Sequence, residues 1–183
     1  MIFPETYYYT ANNTLQGVLP QEIKYFHTLK HLNLTQNPDL SGVLLPAIGE
    51  LASLETIDFY DSSFNGPIPS SFGNLQNLTH LVLHNNDLTK SGWASAIGSL
   101  RNLRYLDLGK NHLYRVPFDS IFFDPMMEID PADEPGFIFD LTLLQYLDLS
   151  ENMIGNHPTG FHIPKNVGSL THLRGKRQLF CFE

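Results

Sequence analysis

Leucines return along the chain in the pattern LxxLxLxxN, and between them apolar and polar positions alternate. The clearest copies are Leu29, Leu32, Leu34, Asn37; Leu78, Leu81, Leu83, Asn86; Leu103, Leu106, Leu108, Asn111; and Leu144, Leu147, Leu149, Asn152. A weaker copy, Leu54, Ile57, Phe59, Ser62, stands between the first two. The closing residues Asn13, Asn37, Ser62, Asn86 and Asn111 are 24 or 25 positions apart, so one unit is a coil of about 24 residues. Within LxLxx the alternation predicts a short strand, with Leu81 and Leu83 turned inward and His80, Val82 and His84 turned to solvent. Such strands bury their leucines only by stacking coil on coil. The closing Asn suits a tight interior bend, because its amide both donates to and accepts from backbone groups that a turn leaves unpaired. Ser62 meets only part of that demand, which predicts the softest coil there.

The second half of each coil carries its own signature. Leu15-Gln16-Gly17-Val18-Leu19-Pro20, Leu40-Ser41-Gly42-Val43-Leu44 and Phe64-Asn65-Gly66-Pro67-Ile68-Pro69-Ser70-Ser71-Phe72-Gly73-Asn74-Leu75 place Gly at a tight turn and Pro where φ must be fixed. Together with the leucine pattern, these segments resemble the plant-type leucine-rich repeat, LxGxIPxxLGxL, over roughly residues 10–173. The resemblance implies an α/β fold: a solenoid of about five to six coils, with a short parallel β-sheet on the concave face and a 3₁₀ or irregular convex side. It implies one domain over 1–176, with a degenerate N-terminal coil at 1–13 and a tail at 177–183. Between Asn111 and Asn152 the interval widens to 41, so an acidic, proline-containing insertion over about 122–137 must loop out before the leucines resume in phase. In some plant receptors that the array resembles, an island of this kind helps form the ligand site; the alternative is a solvated acidic loop.

Charge and composition narrow the function. The 183 residues carry a formal net charge of −8, which argues against nucleic acid as a partner, since phosphate binding needs a basic footprint. No run approaches the ~20 apolar residues of a membrane helix. The first nine residues lack the basic start and apolar run of a secretory signal, leaving a chain that stays inside the cell or a mature or partial product. Cys181 is the only cysteine, so no intramolecular disulfide forms. Sequons at Asn12, Asn33 and Asn77 would suit a secreted glycoprotein, though their number is near chance.

Reading only the outward positions gives a displayed face on the order of 20–25 Å long at ~4.8 Å per strand. Its candidate binding residues are Asp58, Tyr60, Asp61, His80, His84, Tyr105, Asp107, Tyr146 and Asp148. The tyrosines are the leading anchors, since Tyr offers area and a polar tip at low entropic cost. The carboxylates favour a basic partner, although Asp107 and Asp148 belong to an LDL form that the repeat family uses almost anywhere. His80 and His84, about 13 Å apart on one strand, are too distant to share a metal. The sequence shows no ligand set of three or four, and neither metal nor cofactor is expected. Catalytic motifs are missing, and carboxylates such as Asp58 and Asp107 on an open, wet face are not expected to differ much in pKa.

These observations predict a non-enzymatic module that binds a protein or peptide on its concave face. The resemblance points to ectodomains of receptor-like proteins at the cell surface. Two other readings stay open: an extracellular enzyme inhibitor of the polygalacturonase-inhibitor type, and a cytoplasmic scaffold.

Overall fold

In the computed structural model, residues 7–90, 93–113 and 141–152 are described, and the coils within them stack as a ladder of parallel strands. The first sheet contains β1 (Tyr7–Tyr9), β3 (His31–Asn33), β5 (Thr56–Asp58), β7 (His80–Val82), β9 (Tyr105–Asp107) and β11 (Tyr146–Asp148), in that spatial order. Each strand takes the centre of one repeat and pairs in register with the next: Leu32 with Ile57, Leu81 and Leu106, then Leu147. Those residues are buried and their strand neighbours, Asp107 excepted, are not, as the alternation predicts. Tyr8 takes the leucine position of β1, remains exposed, and packs at a tilt on Phe26.

A second parallel sheet, not legible in the sequence, lines the adjoining side. Its strands are β2 (Gly17–Val18), β4 (Asn37–Val43), β6 (Ser62–Gly66), β8 (Asp87–Lys90) and β10 (His112–Leu113). The convex side is made of 3₁₀ segments at Gln21–Tyr25, Pro46–Glu50 and Ser70–Asn74, and of one short helix, α1 (Trp93–Gly98). Pro20, Pro46 and Pro69 stand at the starts of the three 3₁₀ segments, where the fixed φ of proline suits entry and its missing N–H costs nothing. Each segment drives one apolar wedge inward: Ile23, Ile48 and Phe72. Gly49 lets neighbouring segments touch, because a Cβ there would collide with the Ser71 carbonyl.

The closing asparagines form a second interior ladder. Asn86 Nδ2 donates to the Phe59, Leu83 and His84 carbonyls, while its Oδ1 accepts from Phe64 N–H at 3.0 Å. Asn111 repeats this with Leu83, Leu108 and Gly109 carbonyls and Leu88 N–H. Asn37 and Asn152 do likewise. Ser62 offers one hydroxyl, which donates to the Leu34 carbonyl at 3.3 Å. The residue before each closing position adopts a left-handed conformation: Asn12, Gln36, Asp61, Asn85, Lys110 and Glu151 have φ between 50° and 57°. The predicted insertion and C-terminal tail lie outside the described residues.

Candidate functional site

The first sheet displays three columns of side chains, because in-register parallel pairing puts equivalent residues of successive coils side by side. The first column runs Tyr7, His31, Thr56, His80, Tyr105, Tyr146. Its rings stack: Tyr7 on His31 at 4.5 Å, His80 on Tyr105 at 5.9 Å, and Tyr105 on Tyr146 at 4.1 Å with planes 3° apart. Thr56 is the gap between the two stacks. The tyrosines are therefore not independent anchors. Tyr105 and Tyr146 cover one another's faces and present edges and hydroxyls.

The second column reads Tyr9, Asn33, Asp58, Val82, Asp107, Asp148. Its aspartates have a structural duty. Asp58, Asp107 and Asp148 each accept, through Oδ1, the N–H two residues ahead, from Tyr60, Gly109 and Ser150. This local bond explains the recurrence of Asp after the second leucine of the strand. Asp58 Oδ2 also accepts from Asn33 Nδ2 at 3.4 Å.

The third column follows the strands proper as Thr35, Tyr60, His84, Gly109 and Ser150, held by backbone bonds from the next turn such as Gln36 N–H to the Tyr60 carbonyl and Asn85 N–H to the Gly109 carbonyl. Tyr60 stacks on His84 at 5.4 Å. Asp61 lies apart from these columns, in the left-handed turn at the rim, where it accepts a hydrogen bond from Asn85 Nδ2.

Electrostatics differ along the face. His84 Nδ1 lies 2.9 Å from Asp107 Oδ1. Asp107 is 8% exposed, and this burial, aided by the nearby Asp148 charge, holds its carboxyl above the usual range despite the Gly109 N–H and His84. The uniformly wet face expected from the sequence is thus corrected at Asp107, which has been drawn into the sheet. Burial also raises Tyr105 and, more strongly, Tyr146, whose ionisation the Asp107, Tyr105 and Asp148 neighbours further oppose. His80 is lowered by burial first, then by Arg104 and His31.

The structure thus groups eight of the nine sequence candidates on one face and sets Asp61 at its rim. It also brings His84 together with Asp107 and Asp148, a trio that the sequence reading did not assemble. Their donor atoms lie within 4.8 Å of one another.

Comparison with known proteins agrees with this architecture. Residues 53–75 and 143–164 match the Leucine Rich Repeat family. Receptor-like protein 39 of Arabidopsis thaliana is 33% identical over 148 residues, covering 81% of this chain and 14% of the relative. The leucine-rich-repeat ectodomain of the Arabidopsis receptor kinase SOBIR1 superposes with a TM-score of 0.63 at 25% identity, over 81% of this chain and 71% of that one. The chain is a plant-type leucine-rich repeat protein. The Arabidopsis BIR3–SERK2 complex provides a further likeness, with a TM-score of 0.58 at 26% identity over 79% of this chain and 66% of that one. The plant-type leucine-rich repeat protein spans only 14% of the length of the curated receptor-like relatives first matched. Among its described residues, no helix is long and apolar enough to cross a membrane.

Proposed function

We propose that this plant-type repeat array is a non-catalytic recognition module at the cell surface, whose concave face binds a protein or peptide segment of basic character. The observation that carries the reading is the pairing of columns. A row of stacked rings, Tyr105 and Tyr146 among them, runs alongside a row containing Asp58, Asp107 and Asp148. Rings and carboxylates at this spacing suit arginine or lysine side chains, whose aliphatic stems pack along the rings while their charged heads pair with acidic oxygens. The scaffold is preformed, so ordering the site adds little to the cost of binding. Likeness to a receptor-like protein and to the ectodomain of a receptor kinase supports the receptor-like and extracellular parts of the proposal.

The test is a peptide-display selection against the full chain, followed by affinity measurement on the enriched peptides. The proposal expects peptides of net positive charge that compete for one site and lose at least about tenfold in affinity, roughly 1.4 kcal/mol, on Tyr60→Ala with Tyr105→Ala. Enriched peptides without a charge bias, or full affinity for the double variant, would contradict it.

A further inference from the structure

We propose that His84, Asp107 and Asp148 form a binding site for a divalent transition-metal ion of the zinc class on the concave face. One imidazole nitrogen and two carboxylate oxygens are a donor set suited to such ions. The three come from successive coils, at positions 84, 107 and 148, so the winding of the solenoid alone assembles them. Each is positioned by its own support. Asp107 Oδ1 accepts from Gly109 N–H at 3.0 Å, Asp148 Oδ1 accepts from Ser150 N–H at 2.8 Å, and the Tyr60 ring stacks on the imidazole. Tyr146 Oη adds a contact to Asp148 Oδ2 at 3.4 Å.

A second observation is independent of these hydrogen bonds. The equivalent third-column position carries Thr35, Tyr60, His84 and Ser150 in the other coils, but Gly109 here. A Cβ at Gly109 would stand 2.8 Å from His84 Nδ1 and 3.2 Å from Asp148 Oδ1. The missing side chain is what lets the imidazole and the second carboxylate approach over one backbone position.

Geometry permits an ion with modest adjustment. His84 Nδ1 and Asp107 Oδ1, 2.9 Å apart, exchange their direct hydrogen bond for the ion by opening about half an ångström at bonds of about 2.1 Å. The whole trio spans up to 4.8 Å, so side-chain rotation must draw the outer donors inward by about an ångström to reach the roughly 3.4 Å of a tetrahedral set. Three protein donors leave at least one coordination position open toward the concave face. The inference stands apart from the peptide reading, because it needs no ligand on that face.

The test titrates the full chain with zinc and with cobalt(II) alone, reading heat of binding, the visible absorption of bound cobalt, and the melting temperature. The expected result is saturable binding of one ion, with a rise in melting temperature. His84→Gln and Asp148→Asn should each weaken binding at least tenfold, and Gly109→Ala should weaken it by crowding the imidazole. His27→Ala, at an exposed position off this face, should leave it unchanged. Absence of saturable binding, or affinity equal to the parent chain's in Asp148→Asn or His84→Gln, would overturn the proposal; a melt of each variant without metal establishes that it is folded.

Discussion

The inner wall and the displayed wall of the first sheet are made by the same strands yet follow different rules. Inward, Leu32, Ile57, Leu81, Leu106 and Leu147 are near-identical in chemistry and almost fully buried. Outward, one residue away, the columns run through rings, amides, a valine and carboxylates. The inner wall must repeat, since each coil's apolar surface is completed only by its neighbours. The outer wall, apart from the aspartates that bond their own backbone, need only keep the strand extended, and it is therefore free to hold function.

Removing bulk from the inner wall should have the largest effect. Phe59 is fully buried and stacks on Phe64 at 5.0 Å, so Phe59→Ala should cost about 3–5 kcal/mol in a denaturant melt. Asn111→Ala should come next. It strips donors from three carbonyls and leaves Leu88 N–H unpaired, for a loss of roughly 2–4 kcal/mol by the same measurement. The opposite sign is expected at the weak rung. Ser62→Asn restores the amide that Asn37, Asn86, Asn111 and Asn152 supply in their coils and should stabilise by about 1 kcal/mol, seen as a raised denaturation midpoint.

The smallest effect belongs to the outer wall. His80 has its pKa lowered in the folded chain from 6.5, so the unfolded chain takes up its proton more readily. Its contribution is intact above the unfolded value and declines as pH falls below 6.5 toward the folded value. Melting temperatures between about pH 7 and about pH 5 should accordingly fall slightly less in His80→Gln than in the parent chain.

The same contrast explains what could be read from the sequence. Leucine spacing announces the parallel ladder, since burial at period two leaves a periodic trace, and the closing asparagines announce the second interior ladder. The sheet of β2, β4, β6, β8 and β10 leaves no such trace. Its pairs involve residues such as Ser41, Ser63, Asn65 and Gly66, brought together by stacking rather than by an alternating apolar pattern. The left-handed turn was hidden because Gln36, Asp61, Lys110 and Glu151 occupy it without glycine. On the displayed face, the candidate positions were legible one coil at a time, but relations across coils were not. The stack of Tyr105 on Tyr146, the burial of Asp107 and its meeting with His84 and Asp148 depend on register between distant segments. Gly109, which lets that trio close, carries no mark of that role in the sequence.

The division between the two walls is tested most directly by placing the same charge at adjacent positions of β5. Ile57 is fully buried, whereas Thr56 faces outward in the gap between the ring stacks. Thermal melts of Ile57→Asp and Thr56→Asp should diverge: Ile57→Asp loses its cooperative transition, because a carboxylate is forced into the leucine ladder, while Thr56→Asp melts within a few degrees of the parent chain. Equal losses in the two variants, or a cooperative melt of Ile57→Asp near the parent temperature, would contradict the account.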